Sequence, residues 1–312
     1  MFIHEDPDFL NLIGIVAGKR GLALAIVEKD YWVTHALWSL GNAGFDVWFK
    51  GGTSLSKGFD LIQRFSEDLD LKLEHSEIPQ PTNWSNESAA HCGKREAFFR
   101  NIEAKISAPG LTPNLAVSHD GRWRDGKIQL VYDSRTNDLP SSMRPFVLLE
   151  IGDATVTPFV RCDIVSFVHV YLNERGQLAE FTDNRVSGVR CLHPLVTLLE
   201  KIDNLGKNVP SGKDPREFAR HFEDAARIIQ KIESLPTLPD HPNVVALAGA
   251  MTRAIRPPRD ALTSLQHDDA TRWTAIAAAY AEIQPMFWGP RLALDECRSI
   301  ISDWLTETFP SA

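Results

Sequence analysis

Two short stretches carry residue types suited to phosphate and metal chemistry. The first is Lys50-Gly51-Gly52-Thr53-Ser54-Leu55-Ser56-Lys57. Glycines let a backbone approach a ligand closely, and N–H groups at a helix start bind phosphate oxygens together with Ser hydroxyls. The order G-x-x-x-x-G-K-[ST] is absent, so this is not a Walker A loop. Its plain alternative is a tight strand-to-helix turn with Ser or Thr as the N-cap. The second stretch is Phe65-Ser66-Glu67-Asp68-Leu69-Asp70-Leu71. On a strand, residues i and i+2 point the same way, so Asp68 and Asp70 present two carboxylates on one face. Like charges that close need a cation or water between them, and a hard divalent ion shared with substrate phosphates is a natural partner. An exposed polar strand face is the alternative.

The elements that must hold these residues can be read from periodicity. Ala25, Ile26, Val27, Trp32, Val33, Ala36, Leu37 and Leu40 recur at helical spacing up to Gly41. Val47-Trp48-Phe49 is a short apolar strand entering Gly51-Gly52, and 54–63 reads as helix. Leu69, Leu71 and Leu73 alternate with polar residues, a half-buried strand whose polar face carries the acids. A helix over 89–106 and strands over 128–132, 146–151 and 159–170 follow. From His193 onward the pattern is helical: 195–205, 215–232, 244–255, 270–283 and 292–305, separated by Pro and Gly clusters. The expectation is an α+β protein. Residues 1–190 form a mixed-sheet domain with N-terminal helices, and 191–312 form a helical domain.

Composition bounds the rest. The 312 residues carry 33 Lys+Arg against 41 Asp+Glu, a formal charge of −8, with 43% hydrophobic residues. That balance is globular, and the negative charge argues against a protein that coats nucleic acid nonspecifically, while leaving a local basic groove open. No apolar run approaches the ~18 residues of a membrane span, and the acidic start MFIHEDPDFL is unlike a signal peptide. The four cysteines are scattered with no CxxC, which speaks against a structural zinc site or a disulfide framework. The expected location is the cytoplasm.

Strand, Gly-Gly-Thr-Ser turn, helix and acid-bearing strand together resemble the polymerase-β-type nucleotidyltransferase core, whose mark is a G-[GS]-x-S turn followed by D-x-D. Such enzymes complete a carboxylate triad from a later strand. Glu150, the one acid within the apolar run 146–151, is the best candidate, with Asp163 behind it. An unpaired carboxylate there would be costly, so a structural ion pair for Glu150 is the competing reading.

The resemblance narrows to the AbiEii/AbiGii toxin family, the nucleotidyltransferase-like toxins of type IV toxin–antitoxin and phage-defence systems, which include the mycobacterial MenT enzymes. It rests on Glu28-Lys29-Asp30-Tyr31-Trp32-Val33-Thr34, Phe49 to Leu55, Arg64 to Leu71, Leu198-Leu199-Glu200-Lys201-Ile202, and Arg220-His221-Phe222-Glu223-Asp224. The resemblance implies that Gly51, Gly52, Thr53, Ser54, Lys57 and Ser66 receive the triphosphate. It implies that Asp68 and Asp70 bind Mg²⁺ or Mn²⁺, and that Lys201 and Asp224 act from a helical domain closing the active-site cleft. Relatives carry a Lys beside the last Asp where this chain has Glu223, so Asp214 stands as the alternative to Asp224. Without the family, Lys201 reads as a solvated lysine and Arg220–Asp224 as a surface pair.

The expected activity is metal-dependent transfer of a nucleoside monophosphate from an NTP to an acceptor hydroxyl, an EC 2.7.7-type reaction. The resemblance implies RNA, the 3′ end of a tRNA, as acceptor, and a cognate antitoxin as partner. Lys201, Lys207, Lys213, Arg216, Arg220 and Arg227 form one basic strip for RNA, and Arg253, Arg256 and Arg259 a second. A small-molecule nucleotidyltransferase and a non-catalytic NTP-binding module are the rival readings.

Overall fold

The computed structural model describes residues 1–66, 68–118, 120–139, 143–252 and 254–310; Glu67 and Arg253 of the motifs above lie outside them. The chain divides into two compact units. The first comprises Met1–Gly58, Phe65–Val156 and Arg161–Cys191; the second comprises Phe59–Arg64, Thr157–Val160 and Leu192–Ala312.

The first unit is built on a seven-stranded mixed sheet. In chain order its elements are α1 (Phe9–Arg20), α2 (Leu24–Asn42), β1 (Asp46–Lys50), α3 (Gly51–Lys57), β2 (Asp68–Glu74), α4 (Ala89–Lys105), β3 (Leu111–Leu115), β4 (Asp125–Tyr132), β5 (Phe146–Gly152), β6 (Phe159–Ile164), α5 (Phe167–Glu174) and β7 (Val186–Leu192). The strand order is β3-β4-β5-β2-β1-β7-β6. β2 runs parallel to β5 and antiparallel to β1, so the acid-bearing strand lies inside the sheet. Leu69, Leu71 and Leu73 are buried on one face of β2 while Asp68, Asp70, Lys72 and Glu74 are half-buried on the other, the expected alternation.

α2 is buried on every side: fifteen of its 19 residues are interior, including Glu28, Lys29 and Asp30. Buried charges persist only when paired or hydrogen-bonded. Glu28 accepts from Ser134 Oγ at 2.8 Å, Thr136 Oγ1 at 2.7 Å and Arg135 N at 2.7 Å. Asp30 accepts from Phe167 N at 2.7 Å and pairs with Lys57, and Lys29 donates to the Arg144 carbonyl. The Glu-Lys-Asp run of the sequence therefore ties α2 to α3, to α5 and to the chain before β5. Tyr31 and Trp32 are core.

A second buried polar group has a measurable consequence. His4 Nδ1 lies 2.8 Å from Tyr31 Oη, and Asn184 joins Tyr31, His35 and His169 at 3.1, 2.9 and 2.8 Å. Burial pushes the His4 and His35 imidazoles down to about 4, and lowers His169 in the same direction. Their folded-state pKa values lie below the unfolded value near 6.5, so the unfolded chain binds more protons in between. Stability is therefore expected to fall as pH drops from about 6.5 to about 4, read as a decreasing urea midpoint. A His4→Phe variant should show a shallower fall; an unchanged slope would place its origin elsewhere.

Several boundaries differ from the sequence reading. The helix expected over 54–63 ends at Lys57, because residues 59–64 leave with the second unit; Asp60 has a φ of 50°, and Gln63 O accepts from Trp288 N at 3.0 Å. The strand expected over 159–170 stops at Ile164. Ser166 caps α5, its Oγ accepting from His169 N at 3.2 Å, so Phe167 to Val170 are helical despite their β-forming types. β3 and β7 lack a clear apolar pattern: β3 contains Pro113, tolerated at a sheet edge, and β7 is interrupted by Gly188.

The second unit is helical from Pro194 onward among the described residues: α6 (Pro194–Asn208), α7 (Arg220–Gln230), α8 (Val244–Ala250), α9 (Ala261–Leu265), α10 (Ala270–Glu282) and α11 (Leu294–Thr308). α7 packs against both α6 and α11. The helix expected over 215–232 is broken, with a 3-10 turn at Pro215–Glu217 before α7, and α8 ends at Ala250 instead of 255. Among the described residues no single helix is long and apolar enough to cross a membrane.

Candidate active site

β1 passes directly into α3, and the junction is shaped around Asp70. Gly51 has a φ of 77°, and a Cβ built on it would lie 1.9 Å from Asp70 Oδ2. Only glycine allows that carboxylate to rest against the turn. Gly52, Thr53 and Ser54 are buried. Thr53 Oγ1 lies 2.9 Å from Ser66 O and 2.8 Å from Asp68 O, tying α3 to the start of β2, and Ser54 Oγ donates to Gly51 O at 3.1 Å. The Thr53 and Ser54 hydroxyls thus brace the turn. Ser66 takes part through its carbonyl. Lys57, expected at the triphosphate, pairs with Asp30, whose buried carboxylate requires a counter-charge.

The sheet places the carboxylates by register. Asp70 is opposite Glu150 across β2–β5, Glu150 opposite Lys127 across β4–β5, and Asp70 opposite Lys50 across β1–β2. Four adjacent strands therefore carry Lys127, Glu150, Asp70 and Lys50 in one row, with Asp68 two residues before Asp70 on the same face. Lys127 Nζ sits 2.8 Å from Glu150 Oε1, and Arg144 Nη1 lies 2.5 Å from Asp68 Oδ1. The hydrogen bond to Glu150 raises the Lys127 pKa. A cavity of about 260 Å³ is lined by Lys50, Asp70, Asp125, Lys127 and Glu150, together with Gly152 and Ala154. Asp163 drops out of the candidate set: it is on β6, separated from β2 by β1 and β7, and accepts from Ser187 Oγ and Gly188 N at 2.9 and 2.8 Å.

Among the described residues no three His, Cys, Asp or Glu side chains form a ready metal cage. The donor set nevertheless suits one kind of ion. Mg²⁺ and Mn²⁺ prefer oxygen ligands, and Mg²⁺ typically takes one or two carboxylates with the remainder from substrate phosphates and water. Asp68 and Asp70, with Glu150 beside Asp70, offer that partial set.

In the second unit, Lys201 on α6 and Asp224 on α7 meet in the interior. Lys201 Nζ is 2.7 Å from Asp224 Oδ2, and Arg64 makes a two-pronged contact, Nε to Oδ1 and Nη2 to Oδ2, both 2.8 Å. Asp224 and Arg64 are essentially inaccessible, and the Lys201 side chain is 9% exposed. Burial works against the Asp224 charge, but Arg64 and Lys201 outweigh it and hold the carboxyl far below its usual range. Burial lowers the Lys201 pKa, with Asp224 opposing and the Arg64 charge adding to the shift. Two cations face one carboxylate.

These positions correct two readings. Lys201 is not a solvated lysine, because α6 turns it inward among Leu198, Leu199, Ile202 and Leu205. Asp224 is not a surface residue, since α7 is covered on two sides. Asp214 is exposed and caps the 3-10 turn, accepting from Arg216 N at 3.0 Å.

A family model for the nucleotidyl transferase AbiEii toxin of type IV toxin–antitoxin systems matches residues 39–296. The chain belongs to the AbiEii family. Its matched span holds Gly51–Lys57, Asp68, Asp70, Glu150, Lys201 and Asp224, whereas the buried Glu28–Asp30 run precedes it. No curated protein and no solved structure matches.

Within this AbiEii chain the basic strips fare differently from their sequence reading. Lys201 is interior. Lys207 pairs with Asp203, Lys213 with Glu217, Arg216 with Glu282, and Arg227 with Glu223. Arg256 is bound to Asp203 at 3.1 Å, and Arg259 donates to the Phe309 carbonyl. Lys207, Lys213 and Arg227 meet acids four residues away, whereas Arg216 and Arg256 meet acids from helices distant in sequence. Arg64 opens one of the motifs but was assigned no role from the sequence. Its signal was its position immediately before Phe65-Ser66.

Proposed function

We propose that this AbiEii chain is a divalent-cation-dependent nucleotidyltransferase that moves a nucleoside monophosphate from an NTP to a hydroxyl of RNA, the 3′ end of a tRNA being the leading acceptor. The observation that carries the reading is the placement of Asp68, Asp70 and Glu150 on one sheet face, with the Asp70 carboxylate against the Gly51 turn. Asp68 and Asp70 are the ligands assigned to Mg²⁺ or Mn²⁺, with Glu150 completing the set once Lys127 yields. The ion would neutralise triphosphate charge and activate the acceptor hydroxyl. The chain's own part is positioning. Glycines at 51 and 52 leave room for a phosphate beside the backbone, and Thr53 and Ser54 keep the turn in register with β2.

Type IV family membership implies a cognate antitoxin. The cytoplasm is the proposed location. The RNA acceptor rests on the family resemblance alone. Incubation with α-³²P-labelled NTPs, Mg²⁺ or Mn²⁺, and total RNA tests the reading. Label on RNA is the expected result. Label on an aminoglycoside supplied in parallel would assign a small-molecule enzyme instead. NTP binding without pyrophosphate release would overturn the catalytic reading.

A further inference from the structure

Asp68 opens β2, and its carboxylate faces a cation. Arg144 Nη1 lies 2.5 Å from its Oδ1. The two ends of Arg144 are held differently. Its carbonyl accepts from Lys29 Nζ, an ammonium on α2 with no solvent exposure, and β5 begins two residues later at Phe146. Its side chain, by contrast, is 44% exposed. The backbone is fixed, and the guanidinium reaches the carboxylate through a partly hydrated pair. Ion pairs that exposed contribute little to stability, so this one can be broken at small cost.

Charge makes the pair incompatible with a loaded site. A divalent ion on Asp68 and a guanidinium on the same carboxylate would repel at contact distance. A nucleotide arriving with that ion brings phosphate oxygens, which match the planar donor fork of an arginine better than a single carboxylate oxygen does. Lys127 holds Glu150 in the same way but presents a point charge.

We propose that Arg144 is an exchangeable counter-ion: it pairs with Asp68, yields it to the divalent cation, and then binds phosphate oxygens of the nucleotide. The proposal rests on the assignment of Asp68 and Asp70 as cation ligands. It requires that removing Arg144 have opposite effects on two ligands. Without the guanidinium, one cation that competes with the ion for Asp68 is gone; with nucleotide present, one phosphate contact is missing. A residue with a purely structural role moves both affinities the same way or neither.

The test uses the full chain and Mn²⁺, with free ion followed by electron paramagnetic resonance. Wild type, Arg144→Gln, Arg144→Lys and Asp70→Asn are titrated with Mn²⁺ alone and with Mn²⁺ plus the α,β-methylene analogues of the four NTPs. Arg144→Gln is expected to bind Mn²⁺ about two- to fivefold more tightly, the range of an exposed ion pair, and the Mn²⁺–analogue complex several-fold more weakly. Arg144→Lys should fall between it and wild type. If Arg144→Gln shifts both affinities in one direction or neither, while Asp70→Asn loses Mn²⁺, the exchange is wrong and the cation assignment stands. If Asp70→Asn binds Mn²⁺ as well as wild type, the cation assignment fails and the exchange fails with it.

Discussion

Asp70→Asn is expected to lower pyrophosphate release by at least about a hundredfold, comparable to loss of a key electrostatic contact in a preorganised site. The substitution keeps shape and removes charge. Asp70 is half-buried on the polar face of β2, and its carboxylate sits where a Cβ on Gly51 would be. An amide fits that space, so urea unfolding should change by no more than about 0.5 kcal/mol. The paired readout separates chemistry from folding. Pyrophosphate release equal to wild type would refute the two-carboxylate mechanism, and a large loss of stability would mean that Asp70 is chiefly structural.

Asp224→Ala is expected to have the largest effect on stability, about 3–5 kcal/mol, because it leaves Arg64 and Lys201 buried with no shared anion. Lys201→Ala should cost less, since Asp224 keeps both hydrogen bonds from Arg64. The dependence on pH has a definite sign. The folded-state pKa of Asp224 is depressed, so its contribution is fully present above the unfolded carboxylate value near 3.9 and is lost as pH falls below it. The difference between wild type and Asp224→Ala in urea midpoint should therefore shrink in acid. A difference below about 1 kcal/mol at neutral pH would contradict the buried group of three.

How much of this was legible beforehand depended on how far each signal was local. The alternation from Asp68 to Leu73 was readable because β2 has one wet and one dry face. Its pairing with β5 was not, yet that pairing is what sets Glu150 beside Asp70. α2 was recognisable as a helix, but burial all round gave Glu28, Lys29 and Asp30 no distinguishing period. Lys201 left a trace: it stands three residues after Leu198 and four before Leu205, within the apolar stripe of α6. The end of α3 and the pairing of Arg64 with Asp224 depend on contacts made far along the chain, which no window of neighbouring residues contains. Two pairs in the basic strips were hidden for the same reason, since Glu282 reaches Arg216 from α10 and Asp203 reaches Arg256 from α6, whereas Lys207, Lys213 and Arg227 meet acids only four residues away.

The grouping of the chain into two units has a consequence for heredity and for engineering. The backbone changes unit after Gly58, Arg64, Val156, Val160 and Cys191. A gene fragment beginning at Leu192 would encode all six of the later helices and still lack Arg64, leaving Asp224 with one of its two counter-ions. The helical unit is thus not a portable cassette that a single recombination joint can graft onto another catalytic sheet. Duplication, fusion or shuffling at a single point would deliver it incomplete, so helices and sheet are expected to have been inherited as one piece.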